Sequence, residues 1–173
     1  GELKIDTILG ELDFDGSGAE NGVLNAVNGD LRIVNPFAGY LFNGTLNIGA
    51  GRYVTFADTN LINDVGGRIN MTGGELFLNR LDQNAELHVS GDAATIFADM
   101  ATFGGGSTTT IDSTLIVVAE TTISPTATMT GAGTFRNDGA LSGNFDIAVN
   151  LENSGSFNPG ASVGLVEIDG DFT

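Results

Sequence analysis

The sequence predicts an all-β protein, and within that class a parallel β-helix whose short strands form stacked coils. Apolar residues alternate with polar ones in short runs, as at Phe145, Ile147, Val149 and Leu151, and this period of two is typical of strands. Such runs return roughly every 7–11 residues, and Gly, Asn-Gly or Pro-Gly separates them. No window has helical spacing, so the pattern indicates strands joined by tight turns.

The strand-like segments can be followed along the chain. Leu3 and Ile5 alternate with polar residues, Leu31 and Ile33 share one face of a later segment, and the final segment begins near Met129. From the segment of Leu31 and Ile33 onward, strands are predicted over residues 29–34, 44–49, 51–57, 67–72, 74–79, 85–90, 94–99 and 113–118. The piece 103–112, FGGGSTTTID, is rich in Gly, Ser and Thr, and its composition predicts a surface turn or insertion.

Many short strands favour the β-helix over its alternative, an antiparallel β-sandwich, which tends to have fewer and longer strands. At roughly 21 residues per coil, the chain makes about eight coils, and stacking at ~4.8 Å gives a rod about 40 Å long. We therefore expect residues 1–173 to form a single β-solenoid domain or a segment of a longer solenoid.

The charge excludes several classes of partner. Lys and Arg total 6 and Asp and Glu total 22, for a net charge of −16, and such a charge repels phosphate backbones and anionic membrane surfaces. No apolar run approaches the ~20 residues needed to cross a bilayer. The chain has no cysteine, so neither a disulfide nor a thiolate metal site is available. We expect no nucleic-acid partner and no membrane insertion.

One acidic segment carries the pattern of half a calcium loop. Asp13, Asp15 and Ser17 alternate within DFDGSG, and Glu20 follows. Oxygen ligands at alternate positions of a turn suit a hard cation. Leu24 occupies the position where an EF-hand has its last ligand, so a complete EF-hand is excluded. The segment is either a calcium site formed by Asp13, Asp15, Ser17 and Glu20 or an acidic, solvated turn. Calcium is the one cofactor that we consider.

The chain has no clear catalytic constellation. His88 is the single histidine, and it should point outward because Leu87 and Val89 point inward. A single histidine rules out zinc sites that need several. We predict that the protein is not an enzyme and has no catalytic residues. The alternative is a carbohydrate-active β-helix enzyme, which needs an open groove lined by Arg and acids, chosen from Asp58, Asp64, Glu86, Asp92 and Asp99.

The most aromatic stretch is NPFAGYLF at residues 35–42. Phe37, Tyr40 and Phe42 either join the core or leave the rod on an irregular loop. In the second case they would form an exposed contact surface.

The tail resembles a known family. GAGTFRNDGALSG and NSGSFNPGASVGLVEIDGDFT are similar to the Gly-rich β-helix repeats of bacterial autotransporter passenger domains and related large surface adhesins. The family formula joins an Asn-x-Gly turn, a Pro-Gly turn, an apolar-x-apolar strand and a final aromatic-Thr. It is met here by Asn153, Gly155, Phe157, Pro159, Gly160, Ser162, Gly164, Val166, Ile168, Gly170, Asp171, Phe172 and Thr173. Ser162-Val163-Gly164 stands where the family has Ser-Pro-Gly.

The resemblance implies a right-handed β-helix on a bacterial cell surface or in an extracellular matrix, and it supplies no catalytic residues. We expect a structural role, as an adhesin stalk or as the subunit of a self-assembling fibre. A calcium-dependent binding module is a further alternative. Expected partners are a second copy bound head to tail or further coils of a longer chain, because an end coil exposes unpaired strand edges. Surface glycans are also candidate partners.

Overall fold

The computed structural model describes residues 3–5, 23–34, 40–57, 60–159 and 166–173. Over these residues the chain is a β-solenoid, with 19 strands, no helix and parallel pairing between successive coils. The backbone bonds between strands therefore run along the axis of the rod.

Each coil has three faces, and equivalent strands stack on the same face. Face 1 contains β2 (Val23–Ala26), β5 (Thr45–Ile48), β8 (Arg68–Met71), β11 (Glu86–Val89), β13 (Thr108–Ile111), residues 128–130 of β15 (Thr128–Asn137), residues 146–148 of β17 (Asp146–Asn153) and β19 (Glu167–Ile168). Face 2 contains β1 (Leu3–Ile5), β3 (Leu31–Val34), β6 (Tyr53–Ala57), β9 (Gly74–Phe77), residues 94–97 of β12 (Ala94–Phe103), residues 114–118 of β14 (Thr114–Ile123) and the second parts of β15 and β17. Face 3 contains β4 (Tyr40–Phe42), β7 (Asn60–Asn63), β10 (Arg80–Gln83), the second parts of β12 and β14, β16 (Leu141–Gly143) and β18 (Phe157–Asn158).

The coils differ in length because their corners differ. On face 1, Thr45 is the register partner of Arg68, and Arg68 is the partner of Glu86. These steps of 23 and 18 residues bracket the predicted repeat of about 21. The described residues contain seven full coils, from β2 to β18, with β1 before them and β19 after them.

The core is a set of apolar columns that run through the stack. On face 1, Leu24, Leu46, Ile69 and Leu87 follow one another in register, and each is at most 6% exposed. Strands alternate side chains between their two faces, so in-register stacking keeps the same side of every coil inside. The burial of these columns supplies the main favourable free energy of the fold.

Amide side chains interrupt the core at defined levels. Asn63 and Gln83 are fully buried, and the Asn63 Nδ2 donates to the Gln83 Oε1 at 2.9 Å and to the Glu86 carbonyl at 3.0 Å. On the outside of face 1, asparagines of successive coils form a second ladder. The Asn47 Nδ2 donates to the Asn25 Oδ1 at 2.7 Å, and the Asn70 Nδ2 donates to the Asn47 Oδ1 at 2.8 Å. Such ladders form only when the coils are in register.

Asn-x-Gly turns occupy one corner in two successive coils. The Asn137 Nδ2 donates to the Gly139 carbonyl at 2.6 Å and to the Asn153 Oδ1 at 3.0 Å, and the Asn153 Nδ2 repeats the local bond to Gly155 at 2.8 Å. A Cβ on Gly139 would lie 1.8 Å from the Ala119 carbonyl oxygen, so the coils approach one another too closely there for any side chain. The Asn-x-Gly part of the tail motif is therefore a corner that permits close stacking, whereas Gly160, Ser162 and Gly164 of the same motif lie outside the described residues.

The structure decides three of the sequence predictions. The parallel β-helix is confirmed, and the antiparallel sandwich is wrong because the strands of successive coils pair in parallel. Treating 103–112 as a turn or insertion was largely wrong: only residues 104–107 form a tight turn, and Thr108–Ile111 is strand β13, with Thr109 and Ile111 pointing inward. Threonine can occupy this interior position because its β-branched side chain is favoured in a strand.

We predict that Gly139→Ala lowers the thermal stability of the chain. The new Cβ meets a backbone carbonyl, which cannot move without opening the ladder, and overpacking of this kind costs about 1–3 kcal/mol. Thermal denaturation followed by circular dichroism measures the loss.

Gly105→Ala is the matched control. Its Cβ would meet only the side-chain hydroxyls of Thr126, at 2.7 Å, and Ser124, at 3.4 Å. These hydroxyls can rotate away, so we expect a change within about 0.5 kcal/mol. Equal melting temperatures for Gly139→Ala and the unmodified chain would contradict the proposed close approach.

Candidate binding surface on face 2

The predicted calcium ligands, Asp13, Asp15, Ser17 and Glu20, lie outside the described residues, so the calcium site stays a prediction. Within the described ranges, no three His, Asp or Glu side chains converge to hold a metal ion.

His88 points outward, as predicted, between the buried Leu87 and Val89. Its side chain is 45% exposed, and its Nε2 lies 3.0 Å from the Asp112 Oδ2. Asp112 lies after the next strand of face 1, so this contact links neighbouring coils on the surface. Among the described residues, no serine hydroxyl is hydrogen-bonded to the ring.

The acids proposed for the enzyme alternative are dispersed. Glu86 forms an ion pair with Arg68 of the preceding coil on face 1. Asp64 and Asp92 lie in corners, and Asp99 lies between the two halves of β12. Asp58 lies outside the described residues. The arginines are dispersed as well, since Arg32 lies on face 2 and Arg68 on face 1.

Of the three rings in the stretch 35–42, Phe42 is fully buried and joins the core. Phe37 and the side chain of Tyr40 lie outside the described residues, so their placement stays a prediction. Outward-facing rings are present on face 2, where Tyr53 is exposed and Phe77 and Phe97 are half-buried. The sequence holds a usable signal: in YVTF, ELFL and TIFA these rings occupy the polar phase, next to inward-facing residues.

The rings of face 2 contact one another across coils. Phe77 and Phe97 are register partners, and their rings stack with centroids 4.8 Å apart and planes 6° from parallel. Tyr53 meets Phe77 edge to face, with centroids 6.4 Å apart and planes at 84°. Tyr53 is 37% exposed, and Val118, which follows Phe97 in the same column, is 36% exposed.

A difference in length between neighbouring corners creates a hollow beside these rings. Four residues join β5 to β6 and β11 to β12, but only Thr72 and Gly73 join β8 to β9. The short corner leaves a hollow of about 300 Å³ bordered by Arg52, Tyr53, Glu75 and Thr95. We call this hollow the notch. Gly74 forms part of it at a φ of 84°, and a Cβ there would lie 2.5 Å from the Arg52 carbonyl oxygen.

A second hollow, which we call the aromatic pocket, lies at the other end of β9. Its volume is about 480 Å³, and Phe77, Asn79, Phe97, Asp99 and Val118 are among the residues that line it. Tyr53 borders the notch, Phe77 borders the aromatic pocket, and their rings touch, so the two hollows are neighbours on face 2. Both volumes fall in the range of small-molecule sites.

The polar side chains of the two hollows are not used within the described part of the fold. Glu75, Asn79 and Asp99 are exposed, and Arg52 is half-buried. Among the described contacts, none of these four side chains makes a hydrogen bond or an ion pair. Unused donors and acceptors beside partly exposed, outward-facing rings can pair with a ligand that carries both apolar and polar groups.

Arg136 provides the contrast. It belongs to the same outward column as Glu75, yet its Nε donates to the Asp138 Oδ1 at 2.8 Å. This bond is the main reason why the pKa of the Asp138 carboxyl is lowered, and a bond of 2.9 Å from the Ser154 hydroxyl acts in the same direction. Asp138 in turn raises the pKa of the Arg136 guanidinium. Arg136 is therefore already engaged, whereas Arg52 is available.

The two free carboxylates of face 2 belong to different hollows. Glu75 borders the notch, and Asp99 borders the aromatic pocket. Thr95 is the register partner of Glu75, and Asp99 follows Thr95 by four positions, beyond the irregularity of β12 between Phe97 and Met100.

Comparison of the chain with protein-family models, curated proteins and solved structures found no match. In the described ranges, no helix is long and apolar enough to cross a membrane.

We predict that Arg136→Ala raises the pKa of Asp138 toward its usual value, because the bond that favours the charged carboxylate is lost. In the unmodified protein the lowered pKa stabilises the fold above the usual carboxyl pKa, and this contribution is lost as the pH falls through the lowered value. Carboxyl carbon NMR titration of Asp138 measures the shift.

Ser154→Ala is the control, and it should raise the same pKa by a smaller amount because Ser154 is the weaker partner. An unchanged Asp138 titration in Arg136→Ala would show that the ion pair does not form in solution.

Proposed function

We propose that this chain is a structural component of the bacterial cell surface, acting as the stalk of an adhesin or as the subunit of a fibre. The observation that carries the proposal is the unbroken stack of coils. Face 1 alone keeps one inward column in register from Leu24 to Ile168. Such in-register stacking maintains an elongated rod.

The structural role has its physical basis in the direction of the backbone hydrogen bonds. Backbone hydrogen bonds connect each coil to the next along the rod, and the core columns run in the same direction. Each coil contacts its neighbours in the stack, as in other solenoid proteins. Length can then be changed by adding coils without altering the cross-section, which suits a spacer.

The surface supports an extracellular position. A net charge of −16 keeps copies apart laterally and repels anionic lipid headgroups. The tail resembles repeats of surface adhesins, and its Asn-x-Gly units form stacked corners of the kind that a repeated scaffold needs.

We also propose end-to-end contact, in which another β-coil packs against the exposed rings at one end of the stack. Phe157 follows Leu141 in a core column, and Phe172 follows Leu151 in a second one. Phe157 is 37% exposed and Phe172 is 55% exposed, with ring centroids 6.0 Å apart. Core-column rings left open at one end fit a further coil, from the same chain or from a second copy.

We predict that the 173-residue chain forms elongated oligomers as salt screens its charge, and that Phe172→Asp and Phe157→Asp prevent this association. A buried carboxylate at the contact is costly to desolvate. Light scattering and negative-stain microscopy across salt concentrations report the outcome.

Val65→Asp is the matched control, because Val65 is 80% exposed in a corner away from these rings. It should associate like the unmodified chain. A chain that stays monomeric at every salt concentration would contradict the fibre subunit and leave the stalk, whose further coils come from its own chain.

Location has its own test. Antibodies raised against the chain should label intact cells of the producing bacterium as strongly as permeabilised ones, since a surface rod is accessible from outside. An antibody against a cytoplasmic enzyme, which labels only permeabilised cells, is the control. Labelling that requires permeabilisation would refute the surface position.

A further inference from the structure

We propose that the notch and the aromatic pocket of face 2 together bind a neutral oligosaccharide. This inference goes beyond the structural role, and its failure would leave that role untouched. It rests on the rings of Tyr53, Phe77 and Phe97 and on the unused polar groups of Arg52, Asn79 and Asp99.

The chemistry of the lining selects the ligand class. A sugar ring has apolar C–H surfaces and a rim of hydroxyl groups, so it needs aromatic surface and planar polar side chains side by side. Face 2 offers both within five consecutive residues, since Glu75 and Phe77 lie on β9 and Asn79 lies just after it. Carboxylate, amide and guanidinium groups can each make paired hydrogen bonds with hydroxyl groups.

The charge selects neutral saccharides over acidic ones. Of the described residues that border the notch, Arg52 alone is a cation, and Glu75 and Asp99 contribute two negative charges to the surface. The chain as a whole carries −16. An acidic polysaccharide would approach against this field, whereas a neutral one would not.

The size and division of the site disfavour a second copy of the chain. The two hollows, of about 300 and 480 Å³, match ligand-sized sites, and each has its own polar groups. Two copies facing each other across face 2 would bring together like charges and unpaired Glu75 and Asp99 carboxylates. A chain of linked sugars can instead follow β9 and fill both hollows.

The test is titration of the full 173-residue chain with cellohexaose, laminarihexaose, mannohexaose and chitohexaose, followed by backbone amide NMR. We expect at least one of these neutral hexaoses to shift amide signals of residues 53–55, 75–79 and 95–99. A hexamer of galacturonic acid forms the acidic arm and should not shift them.

Tyr53→Ala and Phe77→Ala should each weaken that binding by about tenfold or more, as expected for aromatic anchors. Because Phe77→Ala also removes a ring stack, Asn79→Ala is a second variant; it alters only an exposed side chain and should weaken binding about threefold. Ile116→Ala is the control: Ile116 lies in the column of Tyr53 and Glu75 but borders neither hollow, so its dissociation constant should be unchanged.

Several results would overturn the proposal. They are no shift with any neutral hexaose at about 10 mM, shifts that map away from β6, β9 and β12, binding of the acidic hexamer alone, and unchanged affinity in all three variants. Concentration-dependent shifts of the same residues without saccharide would assign the surface to a second copy and equally refute it.

Discussion

In-register parallel pairing between coils is the constraint on which every other feature of this protein depends. A strand alternates its side chains with a period of two, so a slip by one residue would turn an entire inward column toward solvent. Leu46, Ile69 and Leu87 remain inside because each coil copies the phase of the previous one. The polar ladders obey the same rule, since Asn47 reaches both Asn25 and Asn70 only at matching levels.

The same constraint explains how a binding surface can arise on a scaffold. The strands are held by register, while the three corners that join face 1 to face 2 around the notch vary from two to four residues without disturbing it. The notch exists because one corner, Thr72-Gly73, is shorter than the corners above and below it. The rings of Tyr53, Phe77 and Phe97 occupy outward positions and are not part of the core. Architecture and candidate site therefore depend on different parts of the sequence, which is consistent with sites being grafted onto folds.

The fold could be predicted because alternation is a local signal. Ile147, Val149 and Leu151 occupy every second position of a five-residue segment, which predicts that all three point inward. All three are buried, as expected. The sequence misled at 103–112, where Gly, Ser and Thr suggested a loop, because Thr109 fills an interior position that composition assigns to apolar residues. The candidate site was missed for a different reason. Each ring could have been seen to lie on the outward phase, but that Phe77 stacks on Phe97 depends on a register of 20 residues, and the notch depends on comparing three corners in space.

The chain of coil-to-coil contacts also has a consequence for how the protein loses its structure. Because each coil is supported mainly by the two beside it, the stack has no central nucleus whose loss would dissolve everything at once. Heating should fray such a molecule inward from its termini in successive cooperative blocks, with the slowest hydrogen exchange in its middle. β9 lies among the middle coils, where strands on both sides protect it. Damage to an outer coil would shorten the rod while the surface around Tyr53 and Phe77 stayed ordered.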